Sequence, residues 1–254
     1  MTLVAPHRAG LPRPALFVLL TAAMTIAIGA LMAVQGARSQ TIPTDQLQSF
    51  ILRFELARSE SEVSHLLGAF DSPAGQRLRA ALNLINTTDF AFALAYPSFT
   101  IAALAFLADR RTKRMLTIAT LLALVMTSGD WIENRALIAL ASEPTPAHEH
   151  IERLRVATTA KWSAIFLSTG MMGAALLTGR SWWRRGLSLL AFAGAALGLY
   201  SVLVPTTEGF DPRQLAGPAN SALTVLWLVI LGMAAWQVAT GLRGGTARPL
   251  DEDR

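Results

Sequence analysis

Residues 115–140 read MLTIATLLALVMTSGDWIENRALIAL. The run follows the basic pair Lys113-Arg114 and is long enough to cross a bilayer, which takes roughly 20 apolar residues at 1.5 Å each. Near its far end it carries Asp130, Glu133 and Asn134, spaced i, i+3 and i+4, so all three share one helix face. An apolar helix with a costly polar face near one end is therefore the pattern to look for elsewhere in the chain.

Working outward, five more runs of comparable character appear. The six predicted spans are Ala15–Gln35, Asn86–Leu107, Met115–Leu140, Lys161–Thr178, Leu187–Val204 and Ser221–Leu242. The composition agrees: of 254 residues, 52% are hydrophobic and 15% charged. A soluble domain carries about a quarter of its residues as charges, so an ordinary soluble enzyme, a disordered chain and a fibrous repeat are excluded. There is no Cys, which removes disulfide frameworks and cysteine metal sites. The fold expected is all-α, a polytopic bundle of six spanning helices plus an amphipathic helical segment on the outer side.

The net charge of +5 belongs to this topology rather than to nucleic-acid binding, for which no stacking motif or phosphate loop is present. Basic residues cluster at Arg110-Arg111-Thr112-Lys113-Arg114 and at Arg180 with Arg184-Arg185, both in short connections beside span ends. Placing these, the arm 1–14 and the tail 243–254 in the cytoplasm gives 12 basic and 4 acidic residues inside, against 10 basic and 13 acidic outside. The positive-inside rule thus favours both termini in the cytoplasm of a multi-pass protein of the plasma (cell) membrane, in a bacterium its inner membrane. The first span, preceded by a basic arm, also resembles a secretory signal. Its length exceeds the ~7–15 apolar residues of such signals, so an uncleaved anchor is preferred. The tail is expected to be disordered.

The largest non-spanning piece is the extracytoplasmic insertion 36–85. Leu47, Phe50, Ile51 and Phe54 form an apolar stripe at helical spacing. Ser59 and Glu62 have the spacing of a capping box, Gly68 is a stop signal, and Ser72-Pro73 starts a further helix expected to run straight into the second span. Such a segment lies on the membrane surface, covers the outer mouth of the bundle, or packs as a plain helical hairpin; the last is preferred.

Polar groups concentrate in three spans. Asn86, Asp89, Tyr96 and Thr100 fall within an arc of about 80° on the second span, at 100° per residue. Thr127, Asp130, Glu133 and Asn134 fall within about 120° on the third, and Lys161 and Ser168 share a face of the fourth. Counting 1.5 Å per residue from the cytoplasmic ends puts Asp89, Asp130, Glu133 and Lys161 at one depth, roughly 22–27 Å up. Ionisable groups inside spans cost at least ~2.5–3.5 kcal/mol each and commonly mark function. Close carboxylates at low dielectric cannot all stay ionised, so the group is expected to share a proton. Pro97 should bend the second span and free a backbone carbonyl beside the stripe.

Three functions are compatible with that pattern. The first is a membrane-embedded enzyme acting on a lipid or other hydrophobic small molecule by acid–base chemistry. Asp89, Asp130, Glu133 and Lys161 are then the catalytic candidates, and Asn86, Tyr96, Asn134 and Ser168 the substrate-binding ones. The second is a small proton- or ion-coupled transporter, against which stand only six spans and no inverted repeat. The third is a structural or assembly factor whose charges only lock the bundle. No cofactor motif is present. His148 and His150, with Glu133 or Asp130 completing a site, are the metal candidates. Alternate residues lie on opposite sides of a helix, however, and Glu149 and Glu152 suit a helix N-terminus, so capping is preferred. Gly194 and Gly198 form a GxxxG that permits close packing inside the bundle or in a homo-oligomer. The expected partners are membrane lipids and a hydrophobic small molecule.

Overall fold

The computed structural model describes residues 13–38, 46–107, 113–179, 181–207 and 209–246. Nearly all of the regular structure in them is helical: α1 (Arg13–Ala37), α2 (Leu47–Glu55), α3 (Glu60–Leu67), α4 (Pro73–Leu107), α5 (Lys113–Ser142), α6 (His148–Leu177), α7 (Trp182–Leu203), a 3-10 turn at Pro212–Leu215, and α8 (Ala216–Thr246). The exception is an isolated bridge between Thr207 and Phe210, at a turn where Gly209 takes φ +86°. The protein is a multi-pass membrane protein: six of its helices are long and apolar enough to cross a bilayer.

Those six close into a ring in the order α1, α4, α5, α6, α7, α8 and back to α1, with α4 and α6 also touching across it. Large apolar side chains such as Leu20, Met24, Leu121, Leu189 and Leu228 point outward, as lipid requires when the surroundings are as apolar as the core. Several helices begin well before the apolar runs do. α4 starts at Pro73, where Ser72 Oγ accepts from Gly75 N–H at 3.0 Å, and continues unbroken to Leu107. At 1.5 Å per residue its 35 residues span about 52 Å, more than the ~30 Å hydrocarbon layer, so its first turns rise clear of it. α6 likewise begins at His148.

The segment between α1 and α4 folds across one end of the ring. Ser59 caps α3, its Oγ accepting from Glu62 N–H at 3.1 Å, and Gly68 stops α3 with φ +67°, a conformation that favours glycine. The reciprocal half of the capping box does not form as written: Glu62 Oε2 accepts from Arg58 N–H at 2.7 Å, one residue before the cap. Phe54, Val63 and Leu67 are buried among Leu82, Leu137 and Leu154 of the long helices. The hairpin thus covers the mouth of the bundle, and its apolar stripe faces the helix ends.

Arg79 ties these ends together. Its guanidinium donates to the carbonyl of Ala141, in the last turn of α5, at 3.2 Å, to that of Glu143, just past it, at 3.3 Å, and to Gly68 O, the stop of α3, at 3.3 Å. One side chain thereby satisfies carbonyls that two helix termini leave open.

One expectation needs correction. α8 runs to Thr246, so residues 243–246 are helical and not part of a disordered tail; the backbone ladder carries the helix past Gly244 before it ends. Gly194 and Gly198 are taken up inside the chain. A Cβ on Gly194 would lie 2.9 Å from Ala222 Cβ of α8, and one on Gly198 would overlap the Phe166 ring of α6. Both glycines let α7 approach its neighbours, the first of the two uses expected of them. The arm 1–12, the basic turn at 108–112, Arg180 and residues 247–254 lie outside the described residues.

Candidate functional site

Gly129 brings α5 and α6 together. A Cβ there would sit 3.0 Å from Lys161 Cβ and 3.1 Å from Ala157 O. With only hydrogen at that position, the next turn of α5 lies directly against Lys161. Asp130 and Glu133 on α5 then face Thr158 and Lys161 on α6, each pair three residues apart.

Lys161 Nζ donates to Glu133 Oε1 and to Glu55 Oε2 at 3.3 Å, and forms an ion pair with Asp130 Oδ1 at 3.0 Å. One ammonium is thus shared by three carboxylates. Glu133 is fully buried, and its other oxygen accepts from Thr158 Oγ1 at 2.5 Å. Glu55, the last residue of α2, also accepts from Trp162 Nε1 at 3.1 Å. The covering hairpin is therefore pinned to the centre of α6 by a charge of its own.

Asp89 stands apart from this knot. Asn134 Nδ2 donates to its Oδ2 at 2.8 Å, and among the described residues it forms no ion pair. Two turns further along α4, Pro97 leaves the Ala93 carbonyl without its helical donor. Thr127 Oγ1 of α5 supplies one at 2.8 Å, so the proline becomes a second point of attachment between the two helices.

A cavity of about 500 Å³ opens beside these groups. Asp89, Asp130, Glu55 and Lys161 form its charged wall, and Met32, Phe92, Ile165 and Leu223 are among its apolar residues. Tyr96 also lines it. Its hydroxyl is buried beside Asp130 without a hydrogen bond of good geometry. Trp227 Nε1, on the α8 side, is a buried donor with no partner. Buried polar atoms are normally satisfied, so two open groups on one cavity are unusual.

The candidate residues thus divide. Asp89, Asp130, Lys161 and Tyr96 reach the cavity. Glu133 lies behind Lys161, and Asn134 reaches the site only through Asp89. Asn86 and Ser168 are buried but do not line the cavity, and their Nδ2 and Oγ have no partner. His148 and His150 fall in the first turn of α6, where His150 Nε2 lies 3.1 Å from Glu143 Oε1. Among the described residues no group of three His, Cys, Asp or Glu is placed to hold a metal ion.

Sequence reasoning passed over Glu55, Thr158, Trp162 and Trp227. Glu55 carried a signal: it follows Ile51 by one turn on the amphipathic helix, so the stripe ends in a carboxylate. It also passed over a strap on the same end of the molecule. Arg213 donates through Nη2 to Glu62 Oε1 at 2.9 Å, through Nε to Asp211 Oδ1 at 2.9 Å and through Nη1 to Leu56 O at 2.9 Å. The Arg213 hydrogen bonds hold the Glu62 carboxyl below its ordinary range, against the opposing effect of burial. Burial, reinforced by the nearby Arg213 charge, lowers Arg58, whose Nη2 donates to Val202 O at 3.4 Å.

No protein family, curated protein or solved structure matches the chain.

Proposed function

We propose that this membrane protein binds a hydrophobic small molecule in the cavity beneath α2 and performs acid–base chemistry on it, with Asp89 exchanging the proton and Tyr96 orienting the substrate. The observation that carries this reading is the pairing of a carboxylate outside the Lys161 knot with two unpartnered polar groups on a single mostly apolar cavity. Lys161 is already shared among three carboxylates. It and Glu133 act as positioning residues that hold α5, α6 and α2 in register around Asp130. The site is in a plasma membrane, with the α2–α3 end outside and both termini in the cytoplasm; the clusters of Arg and Lys at the opposite end support that orientation.

The test is to recover the full-length protein from its native membranes in nanodiscs and extract it for mass spectrometry. A compound retained by the wild type and lost from Ala33→Trp, which fills the mouth from α1, is the expected result. No compound enriched over empty nanodiscs sinks the reading.

Proton-coupled carriage is the second reading. It is favoured by the number of carboxylates gathered on one ammonium from α2, α5 and α6. Flux into liposomes that Asp89→Asn abolishes supports it, and flux unchanged by that substitution counts against it.

A further inference from the structure

The charge on the cavity wall narrows the class of ligand. Four carboxylates gather here: Glu55 from α2, Asp89 from α4, and Asp130 and Glu133 from α5. The balancing cation is Lys161 alone, since α1 and α8 contribute no titratable side chain among the described residues that line the cavity. Three of the carboxylates share the ammonium. Asp89 has only the neutral amide of Asn134. Buried negative charge without a matching cation is costly, and a cation brought in by a ligand relieves it.

A second observation points the same way and does not depend on charge counting. Tyr96 is 4% exposed and lines the cavity, and its buried hydroxyl has no hydrogen bond of good geometry. A phenolic oxygen accepts from an ammonium N–H as readily as it donates. The rings around the polar wall suit a cation too. Lys161 Nζ itself lies 5.3 Å from the Trp162 ring centroid, and Phe92 and Trp227 complete an aromatic side to the cavity. A bare metal ion would leave this apolar surface unfilled.

We propose that the cavity takes a small amphiphilic organic cation, its ammonium or amidinium group between Asp89 and the Tyr96 hydroxyl and its apolar body against Phe92, Ile165 and Leu223. This rests on the cavity being a ligand site, and it names the ligand class. The ligand N–H donates to Asp89 and Tyr96, and Lys161 stays on its three carboxylates. Neutral analogues fit the apolar part equally well but leave Asp89 as they find it. Anionic ones meet four carboxylates.

The test uses full-length protein in nanodiscs of zwitterionic lipid and three probes of one skeleton: phenylbutylamine, phenylbutanol and phenylbutyrate. Binding is read as the ligand-dependent rise in unfolding temperature. The amine should bind about tenfold more tightly than the alcohol, and the carboxylate weakest of all. Asp89→Asn should abolish the preference of amine over alcohol. If Asp89→Asn does not fold, the head-group ranking in the wild type still decides. Equal binding of all three probes overturns the cation while leaving the cavity a ligand site. Binding by none overturns both.

Discussion

Around Phe99, Ala103 and Leu104 the long helices meet through Ala119, Ala175, Ala191 and Ala234, all buried and apolar. Toward the other end, around Lys161, the same helices meet through carboxylates, amides and hydroxyls. In the apolar half small side chains let backbones approach, and any residue of the right size keeps the contact. In the polar half each group needs a particular partner, because an unmatched charge costs several kcal/mol in such surroundings. The apolar half supplies closeness, and the polar half supplies register.

Removing the shared cation is the harshest way to break that contrast. Lys161→Met leaves Asp130, Glu133 and Glu55 facing one another and should cost about 3–5 kcal/mol, seen as loss of folded protein or a collapse in unfolding temperature in detergent. Adding Glu133→Gln should restore part of it, since the two sites are in contact and their effects do not add. A Lys161→Met protein as stable as the wild type would show that the charges do not lock the bundle.

Matched overpacking sharpens the comparison. In Gly173→Ala the new methyl meets Ala191 Cβ at 3.1 Å in the apolar half, and in Gly129→Ala it meets Lys161 Cβ at 3.0 Å in the polar half. Each should cost about 1–3 kcal/mol. Gly129→Ala should be the worse of the two because it also pries Lys161 from its carboxylates. Equal unfolding temperatures for the pair would deny the polar half its special sensitivity.

Smaller again is Asp89→Asn, expected to change stability by less than about 1 kcal/mol, since Asn134 still has an oxygen to donate to. Asp130→Asn, which weakens a direct bond to Lys161, should cost more. Thermal unfolding of the two side by side separates a residue that serves the cavity from one that serves the knot.

The smallest effect belongs to the strap. Glu62 titrates below its unfolded counterpart, so its contribution is complete above about pH 4.5 and fades as pH falls through the folded value. Its side chain is 39% exposed, so solvent screening keeps the contribution below about 1 kcal/mol. Glu62→Gln should lower stability by that amount near neutral pH and flatten the acid limb, so that the variant and the wild type converge at low pH.

Much of this was legible from residues alone. Span lengths follow from apolar runs, and a helix start at Ser72-Pro73 or a stop at Gly68 follows from backbone chemistry within a few residues. The i, i+3, i+4 triplet on α5 announced its face for the same reason. The partners of that face were harder to see. Glu55 lies far from Lys161 in sequence, and nothing local tells a stripe-ending carboxylate from a solvated one. Asn86 and Ser168 fell on the expected faces yet outside the cavity lining, because a helical wheel gives direction and not the distance to a neighbour.

The amino-acid order alone determined that this chain has six helices long and apolar enough to cross a bilayer and that its costly side chains lie near one level, since both depend only on hydropathy and on a fixed rise per residue. Which carboxylates share Lys161, which one is left to the cavity, and that α2 closes over them were decided by tertiary packing. Those outcomes depend on how closely α5 and α6 approach at Gly129 and on where a hairpin of opposite polarity can settle. Such contacts between residues remote in sequence exist only once the ring has closed.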